Sequence, residues 1–147
     1  MLSNACKYAI RALIYLASRS KGDRKVSIRE ISAEVDSPLP FTAKIMQSLS
    51  KQGLVSSLKG PNGGFFLEAA QAEVALIEIV KAIDGLQMLH GCGLGLKSCS
   101  ESHPCPIHAD FSVIREGFNK LLKEKTIRSL AVELQEGGSN LKSVFSQ

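Results

Sequence analysis

No apolar run in this sequence approaches the ~20 residues that a membrane span needs, and no internal repeat or low-complexity tract interrupts it. The opening MLSNACKYAIRALIYLASRSK has only a short apolar stretch, Ala12 to Ala17, without a cationic flank followed by a cleavage site. A cytoplasmic protein is therefore expected, with no membrane partner. Signatures of catalysis are missing as well. There is no nucleophile–base frame, no paired carboxylate and no phosphate loop followed by Lys-Ser/Thr. The glycines from Gly60 to Gly64 sit inside an expected hairpin, which excludes a phosphate loop there. An enzyme is not expected. Cysteine is scarce but unevenly placed: Cys6 stands alone, while Cys92, Cys99 and Cys105 fall close together. Without a secretory signal, disulfides are disfavoured and clustered thiols point to metal or redox chemistry.

What is present fits one compact unit. The 147 residues match the usual domain size of about 100–200. Hydrophobic content of 44% and charged content of 22% are ordinary for a globular protein. The formal net charge of +4 hides an asymmetry. Residues 1–68 carry ten Lys/Arg against five Asp/Glu (+5), and residues 69–147 carry eight against nine (−1). A basic first half suits a polyanion, because Lys and Arg neutralise phosphates and release counterions. A solvated basic face would give the same surplus.

Three helical patterns open the chain. In the first, Lys7 to Arg19, Ala9, Leu13 and Leu16 recur at helical spacing. Gly22 and Asp23 mark a turn. The second begins at Ser27, with Glu30 expected to close a capping box, and turns Ile28, Ile31 and Val35 inward. Asp36-Ser37-Pro38 breaks it, and Pro40 suits the first turn of a third helix, about Pro40 to Gln52. There Phe41, Ile45, Met46 and Leu49 form the apolar stripe, leaving Ala43, Lys44, Gln47, Ser50 and Lys51 opposite. Two short strand-like runs then flank Gly60-Pro61-Asn62-Gly63-Gly64, as a β-hairpin would. Helix, breaker, helix and hairpin follow the order of a winged helix-turn-helix. The fold expected is mostly α, with a hairpin wing.

The remainder divides into a fourth helix, Ala72 to Asp84, a Gly/Cys loop from Gly85 to Pro106, and a long helix. Ile107, Phe111, Ile114, Phe118 and Leu121 follow alternating spacings of four and three, a seam for a partner helix. A short last helix holds Ile127, Leu130 and Leu134, and the tail after Gly137 is expected to fray. The expected units are a DNA-binding domain (1–84), a cysteine loop (85–106) and a dimerisation region (107–147).

Duplex DNA binding would draw on Ala43, Lys44, Gln47 and Lys51 of the third helix and on Lys59, Pro61, Asn62 and Gly63 of the wing. Lysines suit phosphate or guanine, and the Gln47 amide matches an adenine edge. A homodimer would present two such heads to a pseudo-palindromic operator. The thiols follow C-x(6)-C-x(5)-C, and His108 lies three residues past Cys105. Soft thiolates on a glycine-rich loop can converge on one metal centre, with His108 as the fourth donor and His103 as its competitor. Structural zinc and free thiols stay open, although zinc modules more often space their ligands two to four residues apart. Cys6 reads as a small core residue, and His90 as surface.

These residues together resemble a known family. The start Tyr8-Ala9-Ile10-Arg11-Ala12-Leu13, the run Gly53-Leu54-Val55, the wing Lys59 to Phe65 and the three-cysteine loop are similar to the Rrf2 family of bacterial winged-helix regulators. The similarity spans nearly the whole chain and is greatest with the branch that regulates iron–sulfur cluster biosynthesis. That resemblance implies a two-iron, two-sulfur cluster on Cys92, Cys99, Cys105 and His108, with one extra residue between the first two cysteines. It also implies a transcription regulator, in the repressor sense. The family's nitric-oxide sensor takes an N-terminal carboxylate from the other subunit, a position occupied here by Lys7, with Cys6 adjacent as an alternative donor. Ala43 stands where the cluster-biosynthesis branch has a glutamate implied to tune DNA choice. The competing readings are a small zinc- or iron-binding protein without operator recognition, and a cluster-free regulator controlled by a protein partner.

Overall fold

The computed structural model describes residues 1–19, 24–137 and 140–141. The fold is built around α1 (Asn4–Arg19), in which Ala12 to Leu16 are all buried. A helix apolar on nearly every side belongs in the centre of a core, and α1 packs against α2, α3, α5 and α7. Its first turn is closed by Ser3, whose Oγ accepts from the Cys6 amide at 3.0 Å.

The helix-turn-helix consists of α2 (Ile28–Glu34) and α3 (Leu39–Lys51). Ser27 caps α2 through the Glu30 amide at 3.2 Å. The reciprocal half of the expected capping box does not form. The Glu30 carboxylate turns instead to the Tyr15 hydroxyl at 3.0 Å and to Arg24 at 2.9 Å, where it ties α2 to α1. Asp36 adopts φ 53° between the helices, a left-handed conformation that Asp tolerates better than most side chains. In α3, Ile45, Met46 and Leu49 are buried, as the periodicity predicts.

The wing pairs β1 (Ser56–Leu58) with β2 (Gly64–Phe66) in antiparallel register, Ser57 opposite Phe65. Val26 extends the ladder by exchanging both backbone hydrogen bonds with Phe65, at 2.9 and 2.8 Å. Two wing glycines are required by this closure. A Cβ at Gly63 would lie 2.1 Å from the Leu58 carbonyl oxygen, and one at Gly64 2.6 Å from that of Val26.

The helix expected from Ala72 to Asp84 begins only at Leu76, as α5 (Leu76–Ile83), and a separate short helix, α4 (Ala69–Ala72), precedes it. The backbone between them is diverted: Val74 accepts from Ile127 at 3.1 Å, Leu76 donates to Lys125 at 2.9 Å, and Ala75 bridges Thr126. The loop after α5 contains a 3₁₀ turn, Gln87–Leu89, with Leu89 buried. Next come α6 (His108–Glu124) and α7 (Ile127–Gln135), the latter opened by a Thr126–Ser129 capping box. Leu122 and Ile127 belong to the same hydrophobic core as Leu13 and Leu16, and the C-terminal helices fold back onto α1 and α5. The turn expected at Gly22 and Asp23 lies outside the described residues, as does most of the tail. Leu141 packs against the core, and its carbonyl accepts from Arg11 at 2.8 Å, which corrects the expectation of fraying at that residue. No helix among the described residues is long and apolar enough to cross a membrane.

Candidate nucleic-acid interface and metal centre

Burying Ile45, Met46 and Leu49 forces the opposite side of α3 outward, so Lys44, Gln47 and Lys51 are exposed and Ala43 is half-buried. The wing presents Lys59, Pro61 and Asn62 to solvent, with Gly63 tucked behind them. Part of each set shares one groove, with Gln47 and Lys51 on one side and Lys59, Pro61 and Gly63 on the other, while Ala43, Lys44 and Asn62 lie outside its lining. Ser27 and Ile28, at the start of α2, complete it. Ser50 and Ser57 join α3 to β1 through their hydroxyls at 3.2 Å. Gln71 fastens the base of the wing, donating to the Gly53 carbonyl at 3.0 Å and to the Ser56 hydroxyl at 3.1 Å. Periodicity had marked the exposed face of α3. It carried no trace of Gln71, whose role depends on α4 folding back beneath the hairpin.

The loop between α5 and α6 gathers the other set. The sulfurs of Cys92, Cys99 and Cys105 all lie within 4.8 Å of one another. Cys92 Sγ and Cys105 Sγ are 3.6 Å apart, while Cys99 Sγ is 3.2 Å from His108 Nδ1. His108 is the first residue of α6, so the helix itself aims the imidazole at the thiols. The donors have unlike surroundings. Backbone N–H groups of Leu96 and Leu94 hold the Cys92 thiol down to about 7, the Leu94 amide lying 3.3 Å from the sulfur. Desolvation pushes the Cys105 thiol up. Cys92 itself is pinned on both sides. Arg115 of α6 donates to the Gly91 carbonyl at 2.6 Å, and a Cβ on Gly93 would fall 2.9 Å from the Phe111 ring and from Ile107.

The remaining candidates separate cleanly. Cys6 is fully buried, and burial first, with the Asp84 carboxylate second, pushes its thiol up to about 12. Such a residue offers no surface to a second subunit and reads as core. His103 is exposed, pairing through Nδ1 with Ser102 Oγ at 3.2 Å, outside the three-thiol group. His90 is exposed. On α6 the expected seam divides. Phe118 packs against the chain's own core and Phe111 against Gly93, whereas Ile107, Ile114 and Leu121 are 37%, 59% and 46% exposed. Their spacing of seven places those three in one row along the helix.

Three soft sulfurs and an imidazole suit iron or zinc better than a hard cation, which takes oxygen donors. His108 joins the three-thiol group through Cys99, and Cys92 and Cys105 touch each other, which makes four donors in all. Two tetrahedral ions sharing a cluster need two protein donors each, and the set fits that requirement.

Against known proteins, the family described as "Rrf2: Iron-dependent Transcriptional regulator" matches residues 2–133. The chain is 34% identical over 132 residues to a protein of Aquifex aeolicus named for an HTH-type transcriptional regulator, covering 88% of this chain and 90% of that one. It is 28% identical over 129 residues to the HTH-type transcriptional regulator IscR of Klebsiella pneumoniae, covering 88% and 78% respectively. The structure titled as CymR (YrzC), the global cysteine regulator of B. subtilis, superposes with a TM-score of 0.74 at 20% identity, over 90% of this chain and 96% of that one. That likeness concerns the fold. These relatives are transcriptional regulators, not enzymes.

Proposed function

The chain belongs to the Rrf2 family of transcriptional regulators, and we propose that it is a cytoplasmic, homodimeric repressor whose DNA affinity is set by an iron–sulfur cluster on Cys92, Cys99, Cys105 and His108. The observation that carries this reading is the convergence of three thiol sulfurs within 4.8 Å, with the first residue of α6 supplying the imidazole. The resemblance to regulators of cluster biosynthesis favours the two-iron, two-sulfur form. Such a cluster, when bound, supplies a redox-sensitive centre that holds only while its ligands stay deprotonated and assembled.

The chain's own residues do the rest. Lys44, Lys51 and Lys59 neutralise phosphates, and Gln47 reads a base edge while Ala43 packs beside it. Pro61, Asn62 and Gly63 form the wing tip that lies along the duplex. The row Ile107, Ile114 and Leu121 pairs with its copy, while Phe111 and Phe118 brace α6 against its own chain. Residues 1–84 then act as the reading head, 85–106 as the sensor loop and 107–147 as the dimer arm. Because the loop joins α5 of the head to α6 of the arm, its ordering can set the spacing of the two heads, and ligand binding can bias that spacing. In gel shifts on the DNA upstream of its own gene, loaded and metal-stripped protein should differ in affinity by at least about fivefold, the lower end of common coupling energies. Equal affinity in both states would leave DNA binding intact and remove the cluster as its regulator.

A second reading has an observation of its own. A single zinc with Zn–S bonds of about 2.3 Å gives a tetrahedral edge of ~3.8 Å, close to the 3.6 Å between Cys92 and Cys105. Iron, sulfide and zinc counts separate the two.

A further inference from the structure

We propose that Cys92 and Cys105 form a modification site: in metal-free protein, a hydroperoxide joins them in an intrachain disulfide, leaving Cys99 reduced. Their sulfurs are 3.6 Å apart, and a disulfide needs about 2.05 Å. The remaining closure of roughly 1.5 Å falls on the two cysteine side chains, because Gly91 and Gly93 on either side of Cys92 are held by Arg115 and by the Phe111 ring. Three thiols allow three pairings, and the local contacts select one. The contact at 3.6 Å joins Cys92 to Cys105, whereas Cys99, within 4.8 Å of both sulfurs, has its own contact with His108 Nδ1 at 3.2 Å. Cys92 Sγ also accepts from the Leu94 amide at 3.3 Å, which fixes the sulfur beside that of Cys105. Cys92 is half-buried, so a small peroxide reaches it, while Cys6 is fully buried.

The chemistry balances with a hydroperoxide as the two-electron oxidant. Cys92 thiolate attacks one peroxide oxygen, the O–O bond breaks, and the other oxygen leaves as water or alcohol after taking a proton. Cys92 is then a sulfenic acid. The Cys105 sulfur attacks it, the S–S bond forms, and the oxygen leaves as a second water. Two thiols have lost two electrons and two protons to one peroxide. Disulfide and metal compete for the same sulfurs, so the oxidised chain is closed to metal until a thiol reductant reopens it. The inference stands whichever metal the loop holds, and its test does not depend on cluster assembly.

The experiment uses the full chain, reduced and stripped with chelator, then treated with one equivalent of hydrogen peroxide and quenched with N-ethylmaleimide. The expected product is a monomeric chain about 2 Da lighter before alkylation, with residues 92 and 105 in one linked peptide pair and Cys99 alkylated. Cys99→Ser should still form the link. Cys105→Ser should stop at a sulfenic acid trapped by dimedone on Cys92, and prior zinc loading should suppress oxidation. A linkage through Cys99, an intermolecular disulfide, or fully alkylated thiols after peroxide would each overturn the proposal.

Discussion

Cys92 and Cys6 carry one side chain in opposite surroundings. Two backbone N–H groups stabilise the Cys92 thiolate and hold its thiol at about 7, whereas burial drives Cys6 to about 12. A lowered folded value means that the thiolate fraction rises as pH climbs through about 7, and iodoacetamide reacts only with that form. In metal-free protein the alkylation rate of Cys92 should therefore show a midpoint near pH 7, with Cys105 lagging to higher pH and Cys6 silent. Peptide mapping at several pH values checks this; a common profile for Cys92 and Cys105 would remove the amide effect. The same scale explains Gly93. Gly93→Ala places a methyl 2.9 Å from the Phe111 ring, so Cys92 must shift. Zinc affinity in competition with a chromophoric chelator should fall at least about tenfold, or 1.4 kcal/mol. Phe111→Leu in the same chain should restore much of it. Loss of affinity with no rescue would place the clash elsewhere.

Among the elements, the proposed interface assigns reading to the α3 face and positioning to the wing. Lys59→Ala should weaken binding to every sequence and reduce the salt slope by about 1, because a phosphate contact carries no base information. Gln47→Ala should instead relax preference at particular base pairs, at a cost of roughly 1–3 kcal/mol there. Binding titrations on matched and mismatched sites across salt concentrations separate the two, and identical behaviour would mean the reading face is misplaced. The elements also show what a sequence conceals. The apolar stripe of α3 and the glycine-rich turn were legible because they depend on local period and turn chemistry. Glu30 was not, since its choice between the Ser27 amide and Tyr15 depends on how α1 crosses α2. The start of α5 only at Leu76 was equally hidden: residues 74–76 spend their backbone hydrogen bonds on residues 125–127, some fifty positions away. In α6 the period marked an apolar seam without telling which residues face the chain's own body.

That last ambiguity governs the whole molecule. Phe118 is half-buried against the chain's core, so its replacement by a charge would damage folding as well as assembly. Ile114 and Leu121 are the sites that separate the two. Ile114→Glu with Leu121→Glu should leave circular dichroism unchanged, give a monomer by sedimentation, and lose operator binding. A double variant that remains dimeric would move the interface off α6. The three-cysteine loop was legible from composition, and the resemblance singled out His108, yet the amides that tune Cys92 and the Arg115 tether were not. Both require knowing that the loop lies on the first turns of α6. The central claim is that the loop holds an iron–sulfur cluster, and the most direct measurement is the iron, sulfide and zinc content of anaerobically purified protein. The account predicts about two iron and two sulfide per chain, as a two-iron cluster requires, falling to near zero in Cys92→Ala, Cys99→Ala and Cys105→Ala and becoming labile in His108→Ala. One zinc per chain with no sulfide would contradict it.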